Sequence, residues 1–235
     1  MIQLIIIAVL LVLIVIFVVF ALTSYNRFLR IYAKYDAEFV YCNLTGFQFV
    51  AFAIDKLNLS TKVAIIEKKL GESYIPSKDI VCISRHTAEV SSVSSICVTA
   101  HELGHAVQNK NQSGLFVFQS CLQILSKIGM FLFPFLIVTG IIMLFIPNYH
   151  DTAIILMLVA LGNLLVVFLF KIFTIPMERQ ASRIAYNFLK DNNVLTQEEL
   201  VHAKKVLNAA LGTYVAGLIL PILRFFGNLG HTFKR

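Results

Sequence analysis

The chain has 235 residues, of which 58% are hydrophobic and only 14% charged, and its mean hydropathy is +0.79. Soluble domains carry roughly 25% charged residues, so the deficit excludes a disordered protein or a nucleic-acid-binding arm and argues against a purely soluble enzyme. The net charge of +7 then belongs at a membrane surface. Four cysteines (Cys42, Cys82, Cys97, Cys121) lie apart with no CxxC pair, which fits a reduced compartment and no disulfide framework.

The first expected element is a membrane helix. Leu4 to Leu22 is an unbroken apolar run of 19 residues, long enough at 1.5 Å per residue to cross a hydrocarbon core of about 30 Å. No positive charge precedes it and it is too long for a signal-peptide core, so it reads as an anchor. Thr45–Leu57 has apolar positions at helical spacing, with Asp55 and Lys56 off the stripe. Lys62–Glu67 and Asp79–Ser84 are short Val- and Ile-rich runs around a turn from Gly71 to Lys78, and read as two strands. A helix follows, starting near the hydroxyls of Ser91–Ser94 and ending near Asn109.

Beyond a polar break at Asn109–Gly114, Leu115–Lys127 leads into two further uncharged runs, Ile128–Ile146 and Ala153–Phe170. Lys127 enters the first and Lys171 leaves the second, while the loop between them has no Lys or Arg. Arg27, Arg30 and Lys34 follow the N-terminal run. By the positive-inside rule the N-terminus lies outside, with residues 23–127 and 171 onward in the cytoplasm. Pro176 is placed to start a helix that continues to Leu189. Val206–Phe226 is apolar but broken by Gly212, Gly217, Pro221 and Arg224; it reads as a packed or interfacial helix, with spanning as the alternative.

The chemistry lies on the helix after the strands. His101-Glu102-Leu103-Gly104-His105 is an H-E-x-x-H sequence. Residues i and i+4 share a helical face, so both imidazoles can meet one ion, and zinc accepts such ligands. Glu102, about 100° around the helix, is free to take a proton from a zinc-activated water. The bland alternative is two surface histidines beside an ordinary glutamate. Apolar Ile96, Val98, Ala100, Leu103 and Ala106 speak against it, because they bury the helix.

A catalytic zinc needs a third protein ligand. Candidates are Glu178, His202, His86, Glu89, His150 and His231. His150 falls across the membrane; His86 and Glu89 read as surface residues, and His202 as solvated. Glu178 is best placed, because an apolar hairpin returns the chain to the side of His101 and His105. Its alternative role is an acidic residue at a helix N-terminus.

Thr99–Gln108, Pro176-Met177-Glu178-Arg179-Gln180-Ala181-Ser182-Arg183 and Val206–Ala216 together resemble the YugP-like neutral zinc metallopeptidases and, more distantly, the HtpX membrane proteases. The resemblance implies a gluzincin-type site with Zn²⁺ held by His101, His105 and Glu178, and Glu102 as catalytic base. In HtpX-type enzymes the third-ligand motif ends in Ala-Asp, where this chain has Ser182. The family's Asp-His-Tyr-Asp-Pro is replaced by Glu72-Ser73-Tyr74-Ile75-Pro76.

The fold class that follows is a mainly α membrane protein. It has three transmembrane helices and a gluzincin-like α+β catalytic domain with a small sheet, split by a transmembrane hairpin. The expected parts are an anchor at 1–22, a first catalytic segment at 23–114, the hairpin at 115–175 and a second catalytic segment at 176–235. Its activity would be peptide-bond hydrolysis, as an endopeptidase of a bacterial cell membrane with its site on the cytoplasmic side. Tyr214 is the candidate oxyanion donor, with Arg183 and His202 behind it; a packed aromatic is its alternative. Ile80, Val81, Cys82, Ile83 and Ser84 are the candidate substrate strand, unless that strand is paired on both sides. Expected partners are a peptide or protein substrate, membrane proteins included, and the lipid bilayer, with no nucleic acid. Two other readings compete: a site-2-type intramembrane metalloprotease, and a non-catalytic membrane scaffold or transporter.

Overall fold

The computed structural model describes residues 2–111 and 114–212. It is mainly helical with one small sheet, in the order α1 (Ile2–Asp36), α2 (Gly46–Lys56), β1 (Lys62–Ile66), β2 (Ser73–Ile75), β3 (Ile80–Ser84), α3 (Arg85–Glu89), α4 (Val93–Lys110), α5 (Gly114–Met143) and α6 (His150–Asp191). A last helix, α7, is helical over residues 197–212, where the description ends. The chain divides into two compact units. One holds the chain up to Tyr25 with Gln119–Ile175; the other holds Asn26–Phe118 with Pro176–Leu211.

Cys121–Met143 of α5, and α6, whose apolar part up to Ile175 lies in the first unit, are long and apolar enough to cross a membrane. Large apolar side chains such as Phe131, Phe135, Ile142, Ile155 and Val159 stand exposed on them. A soluble core helix would hide those faces, whereas a lipid-facing one presents them. Asn163, the one strongly polar residue of its run, is satisfied across the pair: its amide donates to the Gly129 carbonyl at 2.8 Å. Gly129 has no room for a Cβ against Val167, which explains its place in an otherwise bulky helix.

α6 joins two segments expected to be separate, the apolar run Ala153–Phe170 and the helix beginning at Pro176. Pro176 does not start a helix; it lies inside the 42-residue α6, as Pro134 lies inside α5. A proline ring costs one backbone hydrogen bond but need not end a long helix, and such residues are common in membrane helices. Glu178 therefore sits deep within a helix, where a helix dipole does not account for it.

The second unit is built around α4. Thr45 caps α2 through a full capping box with Gln48, and Ser92 caps α4 by accepting from Ser95 N–H. Thr196 and Glu199 form a reciprocal pair at the start of α7. Apolar faces meet in one core: Phe49, Val50 and Ala53 of α2, Val81 and Ile83 of β3, Ile96, Ala100 and Leu103 of α4, Leu189 of α6, and Ala203 and Val206 of α7. The sheet has the order β1-β3-β2, with β3 parallel to β1 and antiparallel to β2. Sequence reading finds β1 and β3 but misses β2, which is only three residues long and sits in the segment taken for a turn.

Candidate metal centre

α4 carries His101 and His105 on its inner face, and α6 presents Glu178 opposite them. Glu178 is only 1% exposed, and both histidines are buried. The Glu178 Oε2 atom stands 3.4 Å from His101 Nε2 and 3.1 Å from His105 Nε2. The three ligand atoms all lie within 4.8 Å of one another. Tetrahedral ligands at zinc bond lengths of 2.0–2.1 Å are separated by about 3.3 Å, so the spacing fits that ion. Nitrogen and carboxylate donors in a buried site suit zinc in chemistry as well.

The helices can approach because Gly104 faces Ala181. Behind the donors, each imidazole is oriented by a polar neighbour. His101 Nδ1 is 3.1 Å from Ser182 Oγ, and His105 Nδ1 is 2.9 Å from Gln108 Oε1. Gln108 Nε2 donates to the Met177 carbonyl at 3.0 Å. That bond fixes the amide's orientation, leaves its oxygen facing His105, and so places the proton on Nδ1 and the Nε2 lone pair on the ion's side. Sequence reading misses Gln108; its signal is the i+3 position from His105 on a buried helix face.

Charge within the cluster is mutually supporting. Burial works against ionising Glu178, yet the hydrogen bonds and charges of His101 and His105 outweigh it and hold the carboxyl well below the usual range. Burial likewise opposes a charged His105, but Glu178 overcomes it and raises His105 to about 9. Glu102 moves the other way: burial pushes its carboxyl up, against the two histidines and a backbone hydrogen bond from Tyr74. It is half-buried and lies within the field of all three donors.

Other sequence candidates fall elsewhere. His86 Nε2 pairs with Asp36, the last residue of α1, at 2.7 Å, and His202 Nδ1 with Glu38, just beyond that helix, at 2.6 Å, so neither ring is turned to the cluster. His202 is stacked on Tyr35 and half-buried. Glu89 pairs with Arg85, and His150 begins α6. The substrate-strand expectation is corrected: Ile80–Ser84 is the central strand, its two edges taken by β1 and β2. β1 pairs along its whole length and β2 pairs Ile80–Cys82, so only Ile83 and Ser84 lack a strand neighbour on one side, too short an edge for strand addition. Tyr214 and His231 lie outside the described residues.

A buried H-E-x-x-H helix joined by a glutamate from a later helix is the donor set of a zinc peptidase. Residues 8–230 match the family described as "Putative neutral zinc metallopeptidase", and the chain belongs to that family. It is also similar to the "Putative membrane protease YugP" of Bacillus subtilis (strain 168), 28% identical over 159 residues that cover 66% of this chain and 67% of that protein. No solved structure matches it.

Proposed function

We propose that this protein is a membrane-anchored zinc metallopeptidase of the gluzincin type that hydrolyses internal peptide bonds. The observation that carries the reading is the convergence of His101, His105 and Glu178 at zinc-ligand spacing, with Glu102 on the same helix. Zinc, when bound by these three residues, supplies a Lewis acid that polarises a peptide carbonyl and lowers the pKa of a water toward about 7. Glu102 takes the proton of the attacking water and delivers it to the leaving nitrogen, so that hydroxyl and hydrogen add across the broken C–N bond. A carboxyl raised by burial suits a group that must both accept and return a proton. Ser182 and Gln108 hold the imidazoles in the productive tautomer. Tyr214 is the proposed oxyanion donor.

The proposed topology has three spans: the apolar part of α1, then α5 and the apolar part of α6. The N-terminus lies outside, and the unit bearing the site faces the cytoplasm of a bacterial cell. The lipid bilayer is its environment and peptides or proteins, membrane proteins included, are its substrates. A site-2-type reading places the H-E-x-x-H helix in the membrane, whereas α4 packs in the polar unit's core. A scaffold reading leaves the buried donor set without a purpose.

The test is zinc content and proteolysis on the same preparations. Wild-type protein is expected to bind one zinc and cleave an unfolded substrate. Glu102→Gln should keep the zinc and lose cleavage by at least about a hundredfold. Wild-type protein without stoichiometric zinc, or Glu102→Gln cleaving at the wild-type rate, would overturn the reading.

A further inference from the structure

We infer that the groove between α6 and α7 is a specificity site that receives a carboxylate of the peptide substrate, an inference that rests on the peptidase reading above. The groove encloses about 460 Å³. Arg179, Ser182, Arg183 and Tyr186 line one wall at i, i+3, i+4 and i+7 of α6; Lys204 and Asn208 stand on the α7 wall.

Three cations thus share one groove, and none of its described lining residues is acidic. Among the described residues none of the three makes an ion pair, whereas Arg85, with Glu67 and Glu89 beside it, makes two. Cations brought together without a counter-charge repel one another, and an anion in the groove relieves that repulsion. A guanidinium fork can pair both oxygens of a carboxylate, and the Lys204 ammonium adds a further positive charge. Tyr186, half-buried, and the buried Leu207 give the groove apolar surface for the stem of an acidic side chain.

The position of the groove connects it to the reaction. Ser182 lines it, and the Ser182 Oγ atom is 3.1 Å from Nδ1 of the zinc ligand His101. The groove therefore lies behind His101, with Ser182 and the imidazole ring between it and the position of the ion. On that inference a peptide running from the centre past His101 places a side chain a few residues from its scissile bond in the groove, which makes an acidic residue at one subsite the preferred substrate feature.

The test uses the zinc-loaded full-length protein and fluorogenic peptides identical except at one position, scanned over three residues on each side of the cleaved bond, with Asp, Asn or Lys there. At one position kcat/KM for Asp should exceed that for Asn by about fivefold or more, a difference of about 1 kcal/mol as expected for a solvent-accessible charge pair. The Arg183→Glu, Lys204→Glu double variant should invert the order at that position and prefer Lys. The ratio is taken within each protein, so general damage cancels. As a readout without turnover, the Glu102→Gln protein should bind the labelled Asp peptide more tightly than the Asn peptide by fluorescence anisotropy.

Cleavage of all peptides with no charge preference, and no binding preference, overturns the groove assignment and leaves the peptidase reading standing. Absence of cleavage from protein that holds zinc overturns the peptidase reading, and the anisotropy then decides the groove alone. Stimulation of every peptide equally by phosphatidylglycerol vesicles but not phosphatidylcholine vesicles, lost in the double variant, would assign the groove to a lipid headgroup and overturn the proposal.

Discussion

A Cβ built on Gly104 would stand 2.6 Å from the carbonyl oxygen of Ala181, closer than real Cβ atoms come. The obstacle is backbone, so no rotamer can relieve it. Gly104 precedes His105 and Ala181 follows Glu178 by three residues, so this contact sets how closely the histidines meet the glutamate. Gly104→Ala is expected to push α4 from α6, destabilise the unit by about 2 kcal/mol or more, and cut zinc retention in the same step. Metal analysis after dialysis, compared with thermal unfolding, checks it; wild-type zinc content in Gly104→Ala would show that the approach is not needed.

Removing the groups behind the imidazoles gives a milder effect. Ser182→Ala and Gln108→Ala each leave three ligands in place but free one ring to rotate or change tautomer. Zinc affinity should fall about ten- to a hundredfold in each, measured by competition with a chelator. Gln108→Ala is expected to be the larger, because Gln108 also ties α4 to the Met177 carbonyl of α6.

The histidines paired elsewhere should behave differently. His86→Ala and His202→Ala are expected to retain full zinc stoichiometry, since Asp36 and Glu38 occupy those rings. Their cost should appear in thermal stability. Loss of zinc in either folded variant would place that residue in the centre after all.

The site was legible in the sequence because its information is local. H-E-x-x-H declares its own geometry on any helix, and Gly104 marks a close approach. Glu178 was identified through topology and resemblance, although the reason given for a helix beginning at Pro176 fails: α6 runs through that proline without ending. β2 was not legible because Ser73–Ile75 is only three residues long and lies in a stretch marked by Gly71 and Pro76 as a turn, although it pairs with the next strand in the chain, Ile75 opposite Ile80. Glu72 reaches Ser84 Oγ and Thr87 Oγ1, both at 2.6 Å, and Tyr74 OH bonds Asp79 and Asn109. Three residues carry too little pattern to reveal a strand, and these side-chain bonds anchor it without leaving a periodicity in the sequence. For the same reason Ile80–Ser84 looked available at its edge, since its apolar residues announce a strand without saying how many neighbours it has.

Asp79 offers a pH-dependent test of how the sheet is joined to α4. Its carboxylate accepts from Thr61 Oγ1 at 2.7 Å, Tyr74 OH at 2.9 Å and Ser60 Oγ at 3.0 Å. Tyr74 OH in turn accepts from Asn109 of α4 at 2.6 Å, and the Tyr74 backbone bonds Glu102. Burial alone would raise the Asp79 carboxyl; the three hydroxyl donors outweigh it and lower it below its ordinary value. A depressed folded pKa means that the stabilisation is complete above the unfolded pKa of about 3.9 and is lost as pH falls through the lower folded value. Asp79→Asn is the appropriate probe, because Asp79 has φ 50° and Asn tolerates that left-handed backbone. At pH 7 the variant should be less stable than wild type by about 1 kcal/mol, since a neutral amide oxygen replaces a charged acceptor that is partly exposed to solvent. The difference should hold from neutrality down to about pH 4 and shrink below it, because protonated Asp79 resembles the amide. Thermal unfolding of both proteins between pH 7 and pH 3 measures it, and a gap that widens in acid would contradict the assignment.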